Sequence, residues 1–70
     1  MNVYPNPTTG VLFVNGMQPK QASVFDVSGK LIPTKVEGNT IDTQKLPKGN
    51  YILKMEDKEG NSSTTKFIKK

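Results

Sequence analysis

The sequence predicts an all-β domain, a small antiparallel sandwich or barrel, on three observations. Nowhere do apolar residues recur at helical spacing over a convincing length. Instead, short runs rich in β-branched and aromatic residues alternate with turn signals carrying Gly, Pro and Asn, enough for about six to seven strands. One run shows period two clearly. Tyr51, Leu53 and Met55 fall on one face, Lys54 and Glu56 on the other, and Ile52 is the exception. That alternation marks a half-buried antiparallel strand.

The chain begins with Tyr4-Pro5-Asn6-Pro7-Thr8-Thr9-Gly10. Each proline fixes its own φ and pushes the residue before it out of the helical region, so this lead-in is extended and poorly able to pair as a central strand. Thr8-Thr9-Gly10 then turns the chain into the first apolar run, Val11–Val14. A plain linker joined to a strand gives the same pattern. Asn15-Gly16 is a dipeptide favoured in tight hairpin turns, and residues 17–21 read as a connection.

Ala22–Val27 reads as the next strand, followed by a Ser28-Gly29 hairpin loop and a strand over Lys30–Val36. Pro33 has no N–H to give, so it places that strand at a sheet edge or breaks it. After the turn signal at 37–39, Thr40–Thr43 is a short strand whose large apolar residue is Ile41. Leu46-Pro47-Lys48-Gly49 has the spacing of a type I turn, with Leu46 plugging the end of the core. Asp57–Asn61 closes the hairpin after the alternating strand, and Ser62–Lys70 supplies the last strand around Phe67 and Ile68. Residues 1–5 add a further strand if they pair.

Seventy residues make one domain, near the size at which a single core supplies only about 3–5 kcal/mol. There is no cysteine, so no disulfide compensates, and the absence of His and Cys removes the usual transition-metal ligands and the commonest general base. No apolar run approaches the roughly 20 residues of a membrane span, and no signal peptide is visible. The net charge of +4 comes with ten basic residues that are all Lys. Base readout and stacking favour Arg, so nucleic acid is a distant reading. Asp26, Asp42 and Asp57 fall in separate elements, which gives no paired carboxylates for catalysis. Asp57-x-Glu59-x-Asn61 alternates oxygen ligands as a calcium loop does. However, Gly60 is misplaced for an EF-hand and no acidic residue follows, so a charged hairpin turn is the better reading. No cofactor or metal is expected.

Taken in order, Tyr4-Pro5-Asn6-Pro7 with Gly10 before an apolar strand, Val24-Phe25-Asp26 with Gly29-Lys30, Leu46 with Gly49-x-Tyr51, and a closing Lys66-Phe67-Ile68-Lys69-Lys70 form a set. No single element is specific; the ordered set is. It resembles the type A C-terminal sorting domain of the type IX (Por) secretion system of Bacteroidota, over essentially the whole of residues 1–70. The resemblance implies an immunoglobulin-like β-sandwich forming the last domain of a larger secreted cargo protein. It also implies passage across the outer membrane from the periplasm, contact with outer-membrane translocon or shuttle proteins, and removal by a sortase-like cell-surface protease. The expected destination is the medium or the cell surface.

Carried over by position, the family motifs fall on Pro5, Asn6, Pro7, Gly10, Gly29, Leu46, Gly49 and Tyr51, and on Lys66, Phe67, Ile68, Lys69 and Lys70. Most of these read as architecture: Gly29 and Gly49 permit turns, while Leu46 and Tyr51 bury apolar surface. The C-terminal lysines read equally as solvation and as recognition, on a terminal strand whose exposed edge a partner engages by strand addition. The sequence therefore predicts a non-catalytic secretion signal domain with no nucleic-acid or small-molecule ligand. The alternative is a β-sandwich accessory module, carbohydrate-binding or a spacer. That reading requires an exposed aromatic platform, whereas Tyr4, Phe13, Phe25, Tyr51 and Phe67 mostly occupy positions that suit a core.

Overall fold

The computed structural model describes residues 2–70. The strands are β1 (Asn2–Tyr4), β2 (Val11–Asn15), β3 (Gln21–Asp26), β4 (Leu31–Ile32), β5 (Lys35–Glu37), β6 (Thr40–Asp42), β7 (Gly49–Glu56) and β8 (Ser62–Lys69). They form two four-stranded sheets, ordered β1-β2-β6-β5 and β4-β3-β7-β8. Every strand pairing within the sheets is antiparallel. The expected all-β sandwich is observed, with eight strands rather than six or seven.

The difference in number has one cause beyond the pairing of β1. The run Lys30–Val36 is two strands, split at Pro33 and Thr34, and its halves belong to different sheets. β4 is the edge of one and β5 the edge of the other. With no N–H at Pro33 the ladder must stop there, and the chain uses the break to change sheets. On the opposite side, the segment from Pro5 to Thr8 leads from the β1 edge of the first sheet to β8 of the second, where Thr8 forms an isolated parallel bridge with Lys69. Both open sides of the sandwich are thus closed by proline-bearing crossings.

The core fills the space between the sheets. Leu12, Val14 and Ile41 from the first sheet meet Val24, Tyr51, Leu53, Met55 and Phe67 from the second, with Leu46 entering from the loop before β7. Each fully buried aliphatic or aromatic side chain contributes about 1.5–3 kcal/mol. Strand alternation dictates the rest. Leu12 and Val14 point inward, so Val11 and Phe13 face solvent, and Tyr4, registered against Phe13, does too. The expectation that the aromatics mostly occupy the core fails for this pair and for Phe25 on the outer face of the second sheet; Tyr51 and Phe67 are the two that meet it. The Tyr4 and Phe13 rings stack on the outer face with centroids 5.6 Å apart. Ile52, the exception to the alternation, is also explained. It lies on the outer face of the second sheet in a row with Leu31, Phe25 and Lys66.

Two turn assignments differ from the sequence reading. Asn15-Gly16 does not close a hairpin, because β2 and β3 lie in different sheets; Gly16, at φ 88°, starts the crossing between them. The hydrogen-bonded turn expected at Leu46–Gly49 lies three residues earlier, where the Leu46 N–H donates to the Thr43 carbonyl, and Gly49 is the first residue of β7.

The hairpins β3–β4 and β7–β8 share a design that the sequence reading did not detect, Asp-x-x-Gly-x. Asp26 Oδ1 accepts the N–H groups of Ser28 and Lys30, as Asp57 Oδ1 accepts those of Glu59 and Asn61. Gly29 and Gly60 follow at φ 87° and 86°, where an L side chain is strained. The hydroxyl of Ser28, then the Lys30 N–H, hold the Asp26 carboxyl below the usual carboxylate range. At Asp57 desolvation pushes the pKa up, but donors from Asn61 and Glu59 outweigh it and the carboxyl again lies low. A lowered folded pKa gives stability that is present above the unfolded value, about 3.9, and lost as pH falls through the folded one. Urea midpoints at pH 6 and pH 3 should therefore converge in an Asp26→Asn/Asp57→Asn variant relative to the wild type. Equal acid sensitivity in both proteins would remove these loops as its source.

Candidate functional site

The motif residues at the two ends of the chain meet on β8. Because Pro5 and Pro7 have no N–H, the segment between them cannot pair as an ordinary strand, and the Asn6 side chain substitutes for one. Its Oδ1 accepts the Ile68 N–H at 2.9 Å and its Nδ2 donates to the Lys66 carbonyl at 3.3 Å. One step on, the Thr8 N–H donates to the Ile68 carbonyl and the Lys70 N–H to the Thr8 carbonyl, both at 2.8 Å. An amide flanked by prolines offers one donor and one acceptor at strand spacing, which accounts physically for the Pro5-Asn6-Pro7 pattern. Asn6→Ala removes two hydrogen bonds at an exposed site and should cost about 1–2 kcal/mol. Thermal melts check the size, and accelerated amide exchange at Ile68 checks the location.

Behind this strap two threonines, neither singled out from sequence, are fully buried. Thr8 Oγ1 donates to the Val11 carbonyl and accepts the Gly10 N–H. The Gly10 carbonyl in turn accepts both the N–H and the hydroxyl of Thr43. The visible signal was Thr8-Thr9-Gly10, since threonine hydroxyls bond locally in turns; Thr43 carried no such mark.

The Leu46 loop closes the same end. Leu46 is buried in the core, and its carbonyl accepts a hydrogen bond from Lys69 Nζ at 2.9 Å. The Tyr51 hydroxyl donates to the Pro47 carbonyl at 2.6 Å, an arrangement like the tyrosine corner of immunoglobulin-type sandwiches. The Tyr51 ring stacks on Phe67, with centroids 5.5 Å apart. Gly29 belongs to this end as well, because Asp26 at the base of its hairpin is registered against Tyr51. The motif residues therefore share one end of the sandwich. Residue 2, registered against Asn15, lies at the other.

The C-terminal lysines do not form the expected exposed cluster. Lys69 is 7% exposed and bonded to the Leu46 carbonyl, so its role is in the packing. Phe67 is core. Lys66, Ile68 and Lys70 remain exposed, but the β8 edge beside them is already occupied by Asn6 and Thr8. While the strap is in place, strand addition is excluded from the Lys66 carbonyl onward. The exposed lysines of this end come from several segments: Lys30, Lys45 and Lys48 as well as Lys66 and Lys70. A shallow hollow of about 380 Å³ opens beside Lys66, lined also by Val27, Asn50, Tyr51 and Ile52. Among the described residues no group of three or more acidic side chains could hold a metal ion.

The sequence matches the family model described as secretion system C-terminal sorting domain over residues 2–70. No curated protein and no solved structure matches it.

Proposed function

The chain belongs to the secretion system C-terminal sorting domain family, the sorting tail of the type IX system, and on that premise we propose that it is the non-catalytic last domain of a larger cargo protein, carrying that cargo from the periplasm across the outer membrane. The machinery reads a folded sandwich rather than a linear peptide. Its contacts are outer-membrane translocon or shuttle proteins, and a sortase-like surface protease then removes it. The destination is the medium or the cell surface.

The observation that carries this reading is the family match over residues 2–70, and the meeting of the motif residues picked out from the sequence at one end of the sandwich supports it. Pro5, Asn6, Pro7, Gly10, Leu46, Gly49, Tyr51, Phe67 and Lys69 build that end. Lys66, Ile68 and Lys70, with the Gly29 hairpin beside them, are the surface offered for contact. The test is a fusion of residues 1–70 to the C-terminus of a periplasmically exported fluorescent reporter, in a type IX-competent bacterium and in an isogenic strain lacking the translocon. Reporter outside the competent cells alone establishes the function. A folded, undegraded fusion retained by both strains rejects it.

One observation favours the accessory-module reading as a second: the exposed Tyr4–Phe13 stack, flanked on the same face by Asn2, Asn15 and Thr40. Aromatic rings bordered by amides and hydroxyls suit a neutral sugar. Retardation of the domain in native gels containing neutral polysaccharide, lost in Tyr4→Ala, would support it.

A further inference from the structure

Of the four sheet edges, three are protected. β1 is three residues long and runs into Pro5, β4 is two residues before Pro33, and β5 is three residues carrying Lys35 and Glu37. Short strands, prolines and charges are the usual means of blunting an edge. β8 is different: it has eight residues, and the strap covers only its C-terminal half.

Alternation fixes which groups are left. In an antiparallel ladder the main chain of every second residue points away from its partner. Ile68 points away from β7, because its N–H and carbonyl are both bonded to the strap. Lys66, Thr64 and Ser62 must point the same way. The strap takes the Lys66 carbonyl, leaving the Lys66 N–H and both main-chain groups of Thr64 and Ser62 facing solvent without a partner among the described residues. The stretch Ser62-Ser63-Thr64-Thr65 carries no proline and no charge.

We infer that this open half of β8, from Ser62 to Lys66, is a strand-addition site for an extended, acidic segment of a partner protein. The inference rests on the sorting reading and adds, next to the Lys66–Lys70 end, a main-chain edge by which that partner holds the domain. The strap acts as a stop, limiting the new ladder to the residues before Ile68 and so fixing its register. The incoming strand would lie beside Thr64 and Lys66, with Lys54 registered against Thr64 one strand further in. On that outer face Lys54 and Lys66 attract carboxylates to the Thr64–Lys66 part of the site, while Glu56, registered against Ser62, turns them away from its first residue; a second copy of this chain, at net charge +4, is repelled.

The test uses the reporter fusion. Thr64→Pro removes only the outward N–H, so the β7–β8 ladder survives and the free domain keeps its cooperative melt, while reporter export falls at least about tenfold. Thr64→Glu/Lys66→Glu, which leaves every ladder hydrogen bond in place, should lower export by a similar factor, and it decides the matter if Thr64→Pro does not fold. Export of folded variants at the wild-type level overturns the inference and leaves the sorting function standing. Failure of the unmodified fusion instead rejects the sorting reading. In the free domain the Thr64 amide should exchange rapidly and that of Thr65 slowly; equal protection would mean the edge is already covered. A wild-type dimer that Thr64→Pro dissolves would assign the edge to a second copy and overturn the partner assignment.

Discussion

Deletion of Lys66–Lys70 is expected to unfold the domain rather than to erase a detachable signal. Phe67 is 1% exposed and stacked on Tyr51, and losing a buried aromatic ring costs about 3–5 kcal/mol. That alone matches the stability a core of this size supplies, about 3–5 kcal/mol. The deletion also strands Asn6 and Thr8, whose partners on β8 disappear, and leaves the Leu46 carbonyl without Lys69. The truncated chain should show no cooperative thermal transition and collapsed amide dispersion. Lys66→Ala/Lys70→Ala, by contrast, touches exposed side chains and should melt within about 0.5 kcal/mol of the wild type. A secretion defect after truncation therefore reports on folding. Of these two changes it is the double lysine variant that separates recognition from folding, and a truncated protein that still melts cooperatively would refute this account of β8.

The second large effect is expected at Lys69. By its neighbours it belongs to a basic tail, yet Lys69→Ala should behave as a core mutation. The change leaves the Leu46 carbonyl unpaired beneath a closed loop and opens a space where the lysine stem packs. An unsatisfied buried acceptor costs about 1–3 kcal/mol, which in a domain of this length lowers the melting temperature by roughly 5–20 °C. Lys69→Met separates the two contributions, because it refills the space and still leaves the carbonyl unpaired. If Lys69→Ala melts like the wild type, the lysine belongs to the exposed surface after all.

The sequence by itself determined the class of fold and most of its elements. Period two over Tyr51–Glu56, the Ser28-Gly29 loop and Pro33 at an edge are local effects, set by side-chain alternation and by φ preferences, and they needed no knowledge of the rest of the chain. The ordered motifs likewise picked out residues that the fold gathers at one end of the sandwich. Tertiary structure alone decided what those residues do. That Asn6 bonds to strand residues some sixty positions away, that Lys69 turns inward while Lys66 and Lys70 do not, and that Thr8 and Thr43 are buried together all depend on which edges the two sheets bring side by side. A lysine in a lysine-rich tail looks the same whether it meets water or a carbonyl. The exposed Tyr4–Phe13 pair and the Asn15-Gly16 crossing follow the same logic. Both look like core or hairpin until the register of β1 on β2, and the change of sheet after β2, assign them a side. Local chemistry makes the strands, and the closure of the two proline-bearing sides, a contact between distant segments, makes the site.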